Sequence, residues 1–249
     1  MSSSLPPEIL DFIVDFLHAK RDALRACCLV SKSWVHRTRR HIFVHVKFSK
    51  FRIDLWKKTF PDPSDSPARY ARNLSICTPA VVTSVDTSVG GLIRTFSGII
   101  RLYMDIRGFG GGRNISFVPL RGLSPTLKTL CLIYDTAPPP SEIFGFVCSF
   151  PLLENLALVS LGNYNEVGTW SIPLTSPKLT GCLVLRMPYG FRSAVHRLLE
   201  LPGGLRFSKI MVSCPDEDIE LTADLISKCS DTLEFLEVVR GYKGAFFLH

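Results

Sequence analysis

An apolar-x-x-apolar-x-apolar pattern returns seven times along this chain at nearly constant intervals. The clearest copies are Leu127-x-x-Leu130-x-Leu132, Leu153-x-x-Leu156-x-Leu158 and Leu233-x-x-Leu236-x-Val238. Weaker copies start at Ala71, Ile99, Thr180 and Phe207. The central positions are 74, 102, 130, 156, 183, 210 and 236, so neighbouring copies lie 26–28 residues apart. A period of this length marks a stack of like units. One unit buries about three strand side chains, worth roughly 1.5–3 kcal/mol each at most. Ordering its backbone costs about 1–2 kcal/mol per residue. No unit stands alone, and neighbours must share buried faces. The alternation within each copy predicts a short strand with its apolar side chains inward. Ser141–Cys148, Ser193–Leu201 and Leu221–Cys229 are predicted to return as helices. Turn signals sit at Ser124-Pro125, Pro138–Pro140, Pro151, Ser176-Pro177, Pro202-Gly203-Gly204 and Pro215.

This pattern resembles the leucine-rich repeat in its long, irregular form. It departs from that family three residues past the last strand apolar position, where an Asn or Cys usually bonds the turn. Here that place holds Pro79, Arg107, Asp135, Leu161, Pro188, Pro215 and Gly241. The resemblance implies parallel strands whose outward positions contact a target protein. In this register the candidates are Arg101, Tyr103, Thr129, Asn155, Lys209, Phe235 and Glu237. A slip of one residue would exchange the inward and outward sets. The alternative is an ordinary α/β domain with evenly spaced strands. An eighth strand falls due near position 262, so either Ala245–Leu248 fold back over the last unit or the chain is a truncated form.

The N-terminus reads differently. Leu5-Pro6-Pro7-Glu8-Ile9-Leu10 opens a short helix, with Pro7 in the first turn and Ile9, Ile13, Phe16 and Leu17 on one face. Asp22 is placed to cap a second helix carrying Leu24, Cys27 and Cys28, and Ser33 a third displaying Trp34, Thr38 and Ile42. These helices hold more apolar surface than about 40 residues can bury among themselves. The Leu-Pro-x-Glu opening and the Leu29-Val30-Ser31-Lys32-Ser33-Trp34 close resemble an F-box, particularly those of the expanded F-box families of filamentous fungi. Ser31 and Ile42-Phe43 depart from the commonest form. The resemblance implies docking on a Skp-family adaptor, and through it a cullin. Its contacts would be Leu5, Pro6, Ile9, Leu10, Ile13, Leu17, Leu24, Leu29, Val30 and Trp34. The expected fold class is therefore α/β, an N-terminal three-helix F-box (1–45), a linker and first-repeat entry (46–69), and a leucine-rich-repeat-like solenoid of about seven repeats (70–249).

Charge is placed unevenly. Residues 1–58 hold 12 Lys and Arg against 5 Asp and Glu, whereas the remainder hold 17 of each. A basic N-terminal segment steers toward acidic partners, which Skp-family adaptors are. A nucleic acid is the less favoured partner, with the second and third helices as a helix-turn-helix. The 8 cysteines form no C-x-x-C pair and lie mostly in apolar runs, as small hydrophobes do. Glu8, Asp11 and Asp15 interrupt the first apolar stretch, so it is no signal peptide, and no membrane span is expected.

Catalytic constellations are wanting. Gly108–Arg113 is glycine-rich without a following Lys-Ser/Thr and reads as a loop. His41 and His45 are four apart, but the valines around His45 place them past the helix end. Asp216, Glu217, Asp218 and Glu220 read as a solvated N-terminus of the last helix rather than a calcium site. The expectation is an intracellular, cytoplasmic or nuclear, non-enzymatic protein with no cofactor. It would be a substrate receptor of a ubiquitin ligase acting in protein degradation. A repeat scaffold without ligase association is the alternative.

Overall fold

Eight short strands lie side by side in chain order, each parallel to the next. The computed structural model describes residues 6–49, 52–77, 87–107, 117–121, 123, 125–135, 140–160, 176–188 and 190–240. The strands are β1 (His45–Ser49), β2 (Asn73–Cys77), β3 (Arg101–Asp105), β4 (Thr129–Tyr134), β5 (Asn155–Ser160), β6 (Cys182–Arg186), β7 (Lys209–Cys214) and β8 (Phe235–Arg240). Parallel neighbours require a crossover after every strand. Three helices precede β1: α1 (Pro7–Phe16), α2 (Arg21–Val30) and α3 (Lys32–Ile42). Five more lie in the crossovers: α4 (Arg52–Thr59), α5 (Thr87–Arg94), α6 (Pro140–Val147), α7 (Phe191–Leu199) and α8 (Ile219–Lys228). The three return helices expected from the sequence are thus present, each starting one or two residues early. The chain is an α/β protein with the sequential parallel sheet of a solenoid.

The inward ladder matches the repeat. Leu74, Leu102, Leu130, Leu156, Leu183, Ile210 and Leu236 pair in register across β2–β8. Two residues on, Ile76, Met104, Leu132, Leu158, Leu185, Val212 and Val238 do the same. From β2 to β7 none of these is more than 2% exposed. They pack with Phe144, Phe146, Phe191, Val195, Leu198 and Leu225 of the return helices, so the helices cover one sheet face and leave the other outward.

Two expectations are corrected. Residues 46–69, expected as a linker and first-repeat entry, hold a strand and a helix of the stack itself: β1 pairs with β2 through Val46↔Leu74 and Phe48↔Ile76, and α4 follows. The repeat signal was there as Phe43-x-x-Val46-x-Phe48, 28 residues ahead of Leu74. Its aromatics hid it among leucine-based copies. Among the described residues the stack therefore has eight strands, and the uncounted one precedes β2. Trp56 of α4 fills this first unit, with ring centroids 5.4 Å from Phe48, 5.8 Å from Phe43 and 5.7 Å from Phe96. The proposed fold-back of residues 245–248 and the Gly108–Arg113 loop lie outside the described residues.

The second correction is a slip within the fifth crossover. Leu179, not Thr180, is the buried partner of Leu183, at 0% exposure, while Thr180 is exposed. One more residue than usual separates them. The chain absorbs it by holding Leu179 at φ 38°, a left-handed conformation that costs a branched residue about 1–2 kcal/mol. The Asn155 side-chain oxygen then accepts a hydrogen bond from the Cys182 N–H at 2.8 Å. A Cβ on Gly181 would come 2.2 Å from that same oxygen. Gly181→Ala is thus expected to break the hydrogen bond and cost about 1–3 kcal/mol, measured by urea unfolding. Gly98→Ala, where the clash is with the end of the long Arg72 side chain, is the comparison and should cost less.

Candidate functional site

Helix α1 begins at Pro7, whose missing N–H suits the first turn, with Glu8 beside the positive helix end. Its inner side buries Val14, at 1% exposure, and α2 and α3 bury Leu24, Cys27 and Thr38. Helix α3 packs against both α1 and α2. Ser31, not Ser33, is its N-cap, and its oxygen accepts the Ser33 N–H at 3.3 Å. Helix α2 starts at Arg21 without a side-chain cap, and Asp22 instead pairs with Arg25.

The outer side of α1 is apolar and open. Ile9, Phe12, Ile13 and Phe16 recur at helical spacing and are 48%, 70%, 37% and 74% exposed. Leu29 and Val30, at the end of α2, are 89% and 70% exposed. Isolated exposed leucines need no explanation, but two phenylalanines and two isoleucines on one face do. Of the expected contact residues, Pro6, Ile9, Ile13, Leu29 and Val30 are exposed, while Leu10, Leu17 and Trp34 are half-buried. Leu24, at 0% exposure, belongs to the internal part of this set and lies in the core of the helical unit. Leu5 lies outside the described residues. Phe12 was missed, although the stripe 9, 12, 13, 16 identifies it.

An ionic clasp orients α1. The Arg37 Nε donates to Asp15 Oδ1 at 2.8 Å, its Nη2 to Asp15 Oδ2, and its Nη1 to Asp11 Oδ2 at 3.2 Å. The His41 Nε2 lies 2.7 Å from Asp15 Oδ1. Hydrogen bonds from Arg37 and then His41 hold the Asp15 carboxyl far below the usual carboxylate range. The stability this carboxylate contributes is therefore present above the unfolded-state pKa of about 3.9 and is lost as pH falls toward the lower folded-state value. Asp15→Asn is expected to lower the thermal midpoint at pH 7 by a few degrees. The difference from wild type should shrink steadily below pH 4.

The outward sheet face forms ladders. Asn73, Arg101, Thr129 and Asn155 make one row, which resumes with Cys182, Lys209 and Phe235. Lys47, Ser75, Tyr103, Cys131, Ala157, Val184, Met211 and Glu237 make the next. All seven sequence-derived candidates are on this face. Arg101, Lys209 and Phe235 are exposed, and Tyr103, Thr129 and Glu237 are partly so. Asn155 is also partly exposed, and its side-chain oxygen accepts from the Cys182 N–H. The middle of the face is apolar, and burial pushes the Cys131 thiol up to about 11. Its ends are basic: Lys47, Arg101, Arg186 and Lys209 form no ion pair among the described residues. Asp105, paired with Arg107, and Glu237 stand on the same face, so acidic groups interrupt this basic set.

Other candidates resolve plainly. Asp218 is 4% exposed and accepts from Arg192 Nε at 2.9 Å, so it is an internal partner rather than a solvated acid. No group of three or more His, Cys, Asp or Glu suited to a metal occurs among the described residues. His41 sits on α3 and His45 opens β1, and they serve Asp15 and Asn73 respectively. All eight cysteines are free. Among the described residues no helix is long and apolar enough to cross a membrane. No protein-family model, curated protein or solved structure matches this chain.

Proposed function

We propose that this chain is the substrate-recognition subunit of a Skp/cullin/F-box ubiquitin ligase. In this reading α1–α3 are the F-box, and Ile9, Phe12, Ile13, Phe16, Leu29 and Val30 enter a Skp-type adaptor. The eight-stranded stack is a leucine-rich-repeat-like platform that holds a target protein on its outward face. The observation that carries the proposal is the open apolar face of α1 on a helical unit whose own core is already complete. Burying a phenylalanine and its neighbours there stabilises a complex by roughly 1.5–3 kcal/mol per side chain. Function then lies in rigid positioning: α3 runs into β1 with two residues between, so a docked adaptor and the sheet keep a fixed relation.

The helix-turn-helix reading has less support. Helices α2 and α3 are separated by Ser31 alone, shorter than the three- to four-residue turn such motifs use, and Arg37 is taken up by Asp15. The decisive experiment is co-expression with a Skp-type adaptor and co-purification in about 0.5 M salt, which screens charge attraction alone. A stoichiometric complex supports the ligase reading. A folded chain that captures no adaptor would sink it in favour of a ligase-free scaffold.

A further inference from the structure

Between the N-terminal helices and the first repeat lies a cleft of about 490 Å³, within the range of small-molecule sites. It is lined by α2 (Arg21, Arg25), the α3–β1 junction, β1 (Val46, Lys47, Phe48) and α4 with the residue after it (Leu55, Trp56, Phe60). Its composition is one-sided. Arg21, Arg25, His45, Lys47 and Arg52 line it, and no aspartate or glutamate does. These basic residues are exposed and form the rim, whereas Val46 and Phe48 are buried and Phe43, Trp56 and Phe60 half-buried, forming the floor.

Arg25 is partly answered by Asp22 at 3.2 Å, outside the cleft. Arg21 is held in place: its Nη2 donates to the carbonyls of Ile42 and His45, each at 3.4 Å. Arg52 forms no ion pair among the described residues, whereas Lys47 stands on the outward sheet face, where it acts on the Asp105 carboxylate. Several cations converging over an apolar floor repel one another, and a bound anion relieves that repulsion. The floor adds a second requirement. Trp56 and Phe60, with ring centroids 5.0 Å apart, offer partly exposed aromatic surface that a flat ring would cover.

We propose that this cleft binds a small organic anion: a flat aromatic ring carrying a carboxylate or a phosphate. The ring lies against Phe43, Trp56 and Phe60, and the acid group meets Arg21 and Arg52. The site is separate from the open face of α1 and from the outward sheet positions beyond β1, so it does not depend on adaptor or target binding. Its place gives it a consequence. The ligand touches α2, β1 and α4 at once and therefore ties the N-terminal helices to the repeat stack.

The test is calorimetric titration of the full chain with 2-naphthyl phosphate and 2-naphthoate, against inorganic phosphate and 2-naphthol. At least one naphthyl acid should bind about tenfold or more tightly than either inorganic phosphate or naphthol, and should raise the thermal midpoint. Which acid binds better distinguishes a phosphate from a carboxylate ligand. Arg52→Glu and Arg21→Gln should each weaken binding about tenfold. Lys58→Glu, an exposed charge reversal on α4 outside the lining, should leave it within about twofold. No binding of either acid at millimolar concentration overturns the proposal. So does equal binding of inorganic phosphate, or an equal loss in Lys58→Glu, because attraction would then be to net charge alone.

Discussion

Phe12→Glu/Phe16→Glu is expected to abolish adaptor capture while leaving the fold intact. Both side chains are at least 70% exposed, so the free chain loses almost no packing, and surface substitutions of this kind usually cost within about 0.5 kcal/mol. In the proposed complex the same positions would become buried aromatics, the type that dominates interfaces at about 2 kcal/mol or more apiece. Two such losses, with two carboxylates placed against an apolar and acidic partner, should weaken binding by about 10³-fold or more. The measurements are co-purification with the adaptor and a thermal scan of each variant alone. Leu24→Ala is the contrasting change. It removes a side chain with 0% exposure, so it should unfold the helices, and any loss of binding would follow from that. Unchanged adaptor affinity in a folded Phe12→Glu/Phe16→Glu variant would remove α1 from the docking surface.

Phe146→Ala is expected to cost about 3–5 kcal/mol, a large share of the 5–15 kcal/mol a domain of this kind holds in reserve. Its ring is fully buried, stacked on Phe117 at 4.7 Å and edge-on to Phe150 at 4.9 Å. Truncation leaves a cavity between a return helix and the sheet in the middle of the stack, where neighbours on both sides depend on it. Val238→Ala, at 40% exposure on β8, should cost about 1 kcal/mol or less. Chemical unfolding of the two variants measures the difference directly. Equal losses would contradict a stack whose burial is complete inside and partial at its end.

Much of the architecture was readable from one chain because its period is enforced by burial. Leu102, Leu130, Leu156 and Ile210 had to face inward, and any other register would have put them in water. Where apolar identity was less typical the reading failed for physical reasons. Val46 and Phe48 form a strand as good as the rest, but Phe43 and Trp56, not leucines, complete that unit. At Leu179 the spacing alone favoured Thr180, and only the left-handed backbone shows how one extra residue is absorbed.

The candidate sites divide in the same way. The composition and spacing of α1 predicted an apolar helix with more surface than it could bury, but not which side would stay open. That depended on α3 packing against α1 and on Arg37 clasping Asp15 from another helix. The inward set of leucines was determined by the sequence, because period-2 and 27-residue patterns leave one arrangement that removes them from water. The basic cleft between α2 and α4 was decided by tertiary structure alone. It joins residues such as Arg21, Phe43 and Trp56 that no local pattern connects, and their proximity arises only when α3 turns into β1.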